Sequence, residues 1–282
     1  MSEIAASLTQ QVAEWPAEHV VVGAWNIAGK RWVHPRPGTD ENHAFPLASV
    51  TKALFSLAVL IAVEEGSLSL DQPAGPPGST VRHLLAHASG LGPDVTETGE
   101  LRFVTKPGRR RIYSNAGFVV LGQLVTECTG IDHRQYFHEA VVEPLGLSRT
   151  VLHGSPASEA TSTVPDLLVV VAELLNPTLI HATTLAEATS AQFPDLAGVL
   201  PGFGRQEPNP WGLGFELRGH KHPHWTGVEN SPETFGHFGR SGTMLWVDPV
   251  AGMGCVALAD RDFGPWAVRA WPTFSDNLLR GA

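Results

Sequence analysis

The sequence Ser49-Val50-Thr51-Lys52-Ala53-Leu54-Phe55-Ser56 opens an apolar pattern that runs to Glu65 and stops at Gly66. Apolar residues recur there with a helical period, so the pattern predicts a helix that begins at Ser49. A spacing of three residues puts the side chains of Ser49 and Lys52 side by side on one face of that helix. The lysine amine can therefore reach the serine hydroxyl.

This pair has the residue types of an activated nucleophile. A serine hydroxyl reacts readily only when an adjacent base takes its proton. A lysine amine, with an ordinary pKa near 10.4, becomes such a base when desolvation or a nearby cation lowers that pKa, and the positive end of a helix also favours the neutral amine. A helix-capping serine followed by a solvent-facing lysine gives the same four letters, so the motif alone leaves both interpretations open.

Two further motifs lie downstream, Tyr113-Ser114-Asn115 and His237-Phe238-Gly239. The patterns S-x-x-K, Y-x-N and H-x-G each occur once, and the chain has only two tyrosines, so agreement of all three in order by chance is small. Together they resemble the signature elements of the serine β-lactamase and penicillin-binding-protein-like family, which includes class C β-lactamases, DD-peptidases and related esterases. The resemblance covers about residues 45 to 260 and includes the segments Leu84–Leu91, Glu143–Leu147 and Trp211–Phe215.

The resemblance implies a role for each motif residue. Ser49 attacks an acyl carbon, Lys52 and Tyr113 share the proton transfers, and Asn115 orients Lys52 or the substrate. A tyrosine with a pKa near 10 acts as a base only if positive neighbours stabilise its phenolate, and otherwise as a proton relay.

The third motif is expected to complete the site. His237 is expected to give the cleft a positive edge or to bond Tyr113, and Gly239 to let the substrate backbone approach. The backbone N–H groups of Ser49 and Arg240 are expected to hold the oxyanion. Phe238 departs from many relatives, which have a small residue or threonine there, and its ring either narrows the acyl site or faces the core.

The order of the predicted elements indicates an α+β fold. Strands at both ends of the chain predict one antiparallel sheet flanked by helices, with a mostly helical lobe inserted between them, as in the β-lactamase/transpeptidase-like fold. Residues 1–70 and 195–282 are expected to form an α/β sandwich lobe and residues 71–194 the helical lobe, with the active site in the cleft between. Strands are predicted at 19–25, 31–33, 212–217, 242–248 and 252–259, and helices at 8–15, 116–126, 133–142, 163–175 and 266–279.

Composition limits the partners. The chain has 19 Lys and Arg against 28 Asp and Glu, a formal charge of −9, which argues against nucleic acid and anionic membranes. The apolar run from Ala53 to Val63 is too short to span a bilayer, and the N-terminus lacks a secretory pattern, so we expect a cytoplasmic protein without a membrane segment. The two cysteines, Cys128 and Cys255, are expected to be buried reduced thiols, and no metal or cofactor is predicted.

Several other features favour a structural interpretation over a functional one. Arg109-Arg110-Arg111 is expected to be a solvated turn rather than a carboxylate site. The alternating His220, His222 and His224 favour an exposed loop over a metal site. His87 and Ser89 favour a helix end followed by a turn at Gly90, and Trp225 is a candidate for the wall of the substrate pocket.

The sequence thus predicts a serine hydrolase that forms an acyl-enzyme on Ser49 and cleaves a small ester, lactone or amide. β-Lactam hydrolysis is a possible side activity. The alternative is a non-catalytic ligand-binding or scaffold member of the same fold. The partner is a small-molecule substrate, and the sequence leaves the oligomeric state open.

Overall fold

A six-stranded antiparallel sheet brings the two ends of the chain together. The computed structural model describes residues 9–281. Strand β1 pairs with β11, the last strand in the chain, with Val20 opposite Ala259, and the strand order is β2-β1-β11-β10-β9-β8. This confirms the predicted sheet. Its strands are β1 (Val20–Asn26), β2 (Arg31–Pro35), β8 (Glu216–Leu217), β9 (Phe235–Gly239), β10 (Thr243–Asp248) and β11 (Met253–Ala259).

Between the N-terminal and C-terminal strands most of the regular structure is helical, which confirms the predicted α+β class. The described helices are α1 (residues 9–13), α2 (Val50–Glu64), α3 (Val81–Leu85), α4 (Asn115–Thr129), α5 (His133–Phe137) with a π-helical turn (His138–Val142), α6 (Val164–Leu175), α7 (Ala182–Ala188) and α8 (Pro265–Arg280). The first residue of the predicted helix 8–15 lies outside the described residues. None of the described helices is long and apolar enough to cross a bilayer.

Both faces of the sheet are buried. Along β1, Val21 belongs to one hydrophobic core, whereas Val20 and Val22 belong to another. Successive side chains of a strand point to opposite faces, so this alternation places a core on each side of the sheet. The first core contains most of α2 and α6, and the second contains Trp271 and Phe274 of α8.

Two glycines let helix α6 pack closely on the sheet. A Cβ on Gly23 of β1 would lie 2.7 Å from a methyl group of Val164, and one on Gly254 of β11 would collide with Val171. A side chain at either position would push the helix away from the strands. These glycines therefore fix the distance between α6 and the sheet.

The structure corrects some element boundaries. Of the predicted strand 212–217 only Glu216–Leu217 is extended, because Gly214 has a φ of 87° and packs against the side chain of Ser56. Strand β9 was not predicted, and the third motif forms its last three residues. Two small sheets were not predicted, β3 (Phe45–Pro46), β5 (Ala160–Ser162) and β4 (Val151–Leu152) in one, and β6 (Gly198–Leu200) and β7 (Gly204–Gln206) in the other. The division into two lobes stays a prediction.

A buried polar network lies at the β8 edge of the sheet. The carboxylate of Glu216 accepts hydrogen bonds from Lys221 Nζ and from Trp225 Nε1 (2.7 Å), and it contacts His224 Nε2 at 3.0 Å. All four residues are buried. The expectation of an exposed histidine loop was therefore wrong for His224, and Trp225 belongs to the core rather than to a pocket wall, because this carboxylate draws both residues inward.

Replacing Glu216 with alanine is expected to destabilise the fold strongly. It would leave the buried Lys221 side chain without the carboxylate that it contacts, and removing one partner of a buried pair typically costs about 3–5 kcal/mol. The free energy of unfolding measured in urea should fall accordingly. In the matched control, Glu229→Ala removes the exposed ion pair with Arg280 and should leave the midpoint nearly unchanged. Equal midpoints for the two variants would contradict the assigned importance of the network.

Candidate active site

The structure brings the first two motifs into direct contact. Ser49 is the N-cap of α2, and the side chain of Lys52, one turn later, is fully buried. Lys52 Nζ lies 3.4 Å from Ser49 Oγ and donates to Asn115 Oδ1 at 2.6 Å and to the Ala157 carbonyl at 2.7 Å. Ser49, Lys52 and Asn115 therefore lie next to one another, as the motifs predicted.

The electrostatics of Lys52 favour a neutral amine. Burial lowers its pKa to about 7, and the Asp94 carboxylate opposes this shift in part. Its Nζ also lies 4.7 Å from the centre of the Tyr113 ring. An amine with a pKa near neutrality can accept a proton from an adjacent hydroxyl at physiological pH.

The third motif packs against the backbone that leads into Ser49. A Cβ on Gly239 would collide with the Leu47 carbonyl oxygen, and Thr243 Oγ1 donates to the same oxygen at 2.9 Å. Ala48, between Leu47 and Ser49, has a φ of 45°, a conformation that is uncommon for residues other than glycine. Gly239 is thus required by the approach of the protein's own backbone, rather than only by a substrate.

This contact brings the backbone before Ser49 close to the strand end before Arg240. Ser49 directly follows the Leu47–Ala48 backbone, and the exposed Arg240 directly follows Gly239. The N–H groups of Val50 and Lys52 close turns on earlier carbonyls. The N–H of Ser49 lies at the helix start, where no carbonyl of the same helix can accept it. The expected oxyanion role of the Ser49 and Arg240 N–H groups stays a prediction.

Tyr113 is protonated at neutral pH. Burial raises the pKa of its phenol well above the ordinary value, and an interaction with Ser49 opposes the shift only in part. Its hydroxyl is buried and makes no well-formed hydrogen bond to any part of the chain that the structure describes. Of the two roles considered, the geometry favours a proton relay over a stable phenolate base.

The expectation of a positive edge at His237 was wrong. Burial, and to a lesser extent the charged form of Lys52, lowers the His237 pKa to about 3, so the imidazole is neutral. Its Nδ1 lies 2.8 Å from the Phe238 carbonyl, which can only accept, so Nδ1 carries the proton. Within residues 9–281, Nε2 of His237 and the Tyr113 hydroxyl each lack a hydrogen-bond partner, so the expected bond between them is not formed.

His87 packs against the ring of Tyr113. Its ring centroid lies 4.6 Å from that of Tyr113 and 4.5 Å from that of Trp211. Its Nδ1 accepts the Ser114 N–H at 3.1 Å, and its φ is 53°. Burial holds the pKa of His87 well below its ordinary value. The sequence indicated a helix end here but not this packing against the second motif.

Phe238 faces the core. Its ring centroid lies 4.9 Å from that of Phe263 and 5.6 Å from that of Trp225, so the ring packs in the second core on the α8 side of the sheet. The bulky residue in the third motif therefore does not by itself narrow the acyl site. The core position was one of the two alternatives that the sequence left open.

The arginine run divides into two parts. Arg109 and Arg110 are exposed, as expected for a solvated turn. Arg111 is buried, and its guanidinium donates to the carbonyls of Ala86 and Gln192, among others. For Arg111 the expected solvated turn was wrong, because four backbone carbonyls from three segments accept hydrogen bonds from its guanidinium and take the place of water.

Asp94 and Ala157 are site residues that the motifs did not reveal. Ala157 acts through its backbone carbonyl, which no sequence pattern identifies. Asp94 lies three residues beyond the quoted Leu84–Leu91 segment, and only the folded structure places it beside Asn115. Within residues 9–281, Glu18, His19 and Asp260 form the one group with spacing suited to a metal ion, and these residues are not part of this site.

Comparison with known proteins identifies the family. The family model for beta-lactamases matches residues 17–278, so the chain belongs to the beta-lactamase family, a family of hydrolases. Its sequence is 26% identical over 216 residues to a putative D-alanyl-D-alanine carboxypeptidase of Salmonella heidelberg, covering 57% of this chain and 48% of that protein. It is 26% identical over 137 residues to penicillin-binding protein 4* of Bacillus subtilis, covering 39% and 30%. The chain thus spans half or less of the length of these curated relatives.

Solved structures share the whole fold. A beta-lactamase from Mycobacterium bovis superposes with a TM-score of 0.92 at 49% identity, covering 97% of this chain and 98% of that one. EstCE1, a hydrolase with promiscuous acyltransferase activity, superposes with a TM-score of 0.82 at 18% identity, covering 99% and 98%. The second likeness concerns the fold alone.

The buried Lys52 amine predicts a specific dependence of stability on pH. The folded-state pKa of about 7 lies below the ordinary value, so between about 7 and about 10.4 the unfolded chain binds a proton that the folded chain does not. Stability contributed by this group therefore rises with pH in that window. Relative to Lys52→Met, the wild-type free energy of unfolding should increase by up to about 1.4 kcal/mol per pH unit.

Urea unfolding of both proteins at several pH values between about 7 and about 9 measures this difference. Subtracting the Lys52→Met values removes the contributions of the other titratable groups. A difference that stays constant with pH would contradict a depressed lysine pKa.

Proposed function

We propose that the protein is a serine hydrolase that forms an acyl-enzyme on Ser49 and cleaves a small ester, lactone or amide. The observation that carries the proposal is the fully buried Lys52 amine, 3.4 Å from the Ser49 hydroxyl, with its pKa lowered to about 7. Serine nucleophiles need such an adjacent base. Membership of a hydrolase family supports the same chemistry.

In the acylation step, the neutral Lys52 amine takes the proton of Ser49 while Ser49 Oγ forms a bond to the acyl carbon. The carbonyl oxygen becomes negative. The intermediate then breaks the bond to the leaving group, whose oxygen or nitrogen takes the proton of the Tyr113 hydroxyl. Tyr113 regains a proton from the Lys52 ammonium, so both residues return to their starting states.

The backbone N–H groups of Ser49 and Arg240 hold the oxyanion in this proposal. A fixed donor of this kind typically contributes about 2.7–4 kcal/mol to the stability of the transition state. Deacylation repeats the sequence with water: Lys52 takes a proton from water, the hydroxide attacks the acyl carbon, and Ser49 Oγ leaves with a proton. The acid and the free enzyme result.

The names of the relatives define which substrates to test. A beta-lactamase and a putative D-alanyl-D-alanine carboxypeptidase are named for amide-type substrates, and EstCE1 is named as a hydrolase with acyltransferase activity. The Mycobacterium bovis protein is 49% identical over 98% of its own length, so a β-lactam belongs beside a simple ester in the first assay. In this proposal the protein acts in the cytoplasm.

Ser49→Ala is expected to abolish covalent modification. Intact mass spectrometry should find wild-type protein heavier by one acyl group after exposure to an activated ester, and by one whole molecule after exposure to a β-lactam if that ring is opened. The variant should gain no mass, because the attacking oxygen is missing. Release of product over time distinguishes the substrate that turns over from the one that only acylates.

The matched control is Ser56→Ala. This second serine lies on the same helix, is buried, and donates to the Lys52 carbonyl at 2.7 Å. It should be labelled like the wild type. If the wild type is neither modified nor active on either probe, the proposed function is wrong, and a non-catalytic ligand-binding role for the site becomes the better explanation.

Tyr113→Phe separates catalysis from stability. If the hydroxyl relays a proton to the leaving group, kcat should fall by about 10²-fold or more. Thermal stability should not fall, because the buried hydroxyl has no well-formed bond to lose among the described residues. Steady-state kinetics and thermal melting measure the two effects. Unchanged kcat would exclude the relay, and a large drop in melting temperature would indicate a purely structural hydroxyl.

A further inference from the structure

The side chain of Asn115 bridges Lys52 and a residue outside the three motifs. Its Oδ1 accepts from Lys52 Nζ at 2.6 Å, while its Nδ2 donates to Asp94 Oδ1 at 2.7 Å. An asparagine amide can be turned either way about its last bond, and its hydrogen-bond partners decide which end faces which neighbour. A carboxylate only accepts, so Asp94 requires the NH₂ end and directs the oxygen toward Lys52.

The backbone fixes Asp94 in this place. The carbonyl of Pro93, the preceding residue, accepts the N–H groups of Asn115 at 2.6 Å and Ala116 at 3.2 Å at the start of α4. The carbonyl of Gly92 accepts Ser114 Oγ at 2.6 Å. The segment that carries Asp94 is therefore fastened to the same helix start that carries Asn115, although Asp94 itself is exposed.

We propose that Asp94 is a positioning residue that acts through Asn115 and holds its amide oxygen against the Lys52 amine during acyl transfer. This inference rests on the proposed function. With Asp94 in place, the amide oxygen accepts from the ammonium form of Lys52. Without it, the amide can turn and present its NH₂ end, which repels the ammonium and gives the neutral amine a donor instead.

The other groups around Lys52 carry no opposing charge. They are the Ser49 hydroxyl, the Ala157 carbonyl, the Tyr113 and Phe118 rings, and two imidazoles, His87 and His237, whose pKa values lie below their ordinary range. Asp94 is the charged group that raises the Lys52 pKa, against the larger effect of burial. Removal of its charge should therefore lower the pH at which Lys52 loses its proton.

The experiment compares Asp94→Asn, Asp94→Glu and Glu97→Gln. The last variant is the matched control, because Glu97 is an exposed acid three residues further along the same segment and its removal changes the net charge equally. The chain has only four lysines, so ¹³C labelling at lysine Cε with Lys52→Met for assignment follows the Lys52 titration directly. Hydrolysis of an activated ester over about pH 5 to about 9 gives kcat/KM in parallel.

Asp94→Asn should move both the Lys52 titration and the rising limb of kcat/KM to lower pH by a few tenths of a unit, and should lower the plateau several-fold. Asp94→Glu should restore the titration at least in part, and Glu97→Gln should match the wild type. An unchanged titration in Asp94→Asn, or an equal shift in Glu97→Gln, would overturn the role of Asp94. If the wild type has no turnover although Asp94→Asn shifts the Lys52 signal, the proposed function fails, and the role of Asp94 in acyl transfer fails with it.

Discussion

The site depends on one constraint, the exclusion of water from the Lys52 amine. A buried amine needs partners that replace its hydration, and here they come from separate parts of the chain: Ser49 one turn earlier, Asn115 at the start of α4, and the carbonyl of Ala157 before β5. The partners are a hydroxyl, an amide and a carbonyl, and none is a carboxylate. These hydrogen bonds allow the amine to be buried, but they do not hold it in its charged form. Its pKa therefore falls to about 7.

The position of helix α2 also depends on two glycines that allow other parts of the chain to approach it closely. Gly239 at the end of β9 touches the Leu47 carbonyl, and Gly214 packs against Ser56 on α2, so the helix that carries the nucleophile is held from two sides by positions where a Cβ would collide. Ser241 in the β9–β10 connection and Thr243 at the start of β10 donate through their hydroxyls to the carbonyls of Pro46 and Leu47. The start of α2 is thus positioned by the sheet as well as by its own hydrogen bonds.

The sequence predicted what local spacing encodes. The helix from Ser49, the terminal strands and the three motifs follow from periodicity and resemblance, and the structure places Ser49, Lys52 and Asn115 in direct contact. What the sequence did not predict depends on distant partners. Arg111 is buried because carbonyls from separate segments surround it, and His224 is buried because Glu216 accepts from its neighbours. The low pKa of His237 follows from burial, which the motif letters do not contain.

The buried network around Glu216 and the surroundings of Lys52 differ in how many of their polar atoms have a hydrogen-bond partner. At the β8 edge, Glu216 is bonded to Lys221 and Trp225, so the buried charge is matched. Around Lys52, by contrast, the Tyr113 hydroxyl and one nitrogen each of His87 and His237 lack partners within the described chain. Each such atom costs free energy on folding and is ordinarily removed by selection for stability alone. Three of the nine such atoms in residues 9–281 thus lie around Lys52, where they are available to a group that enters the proposed site.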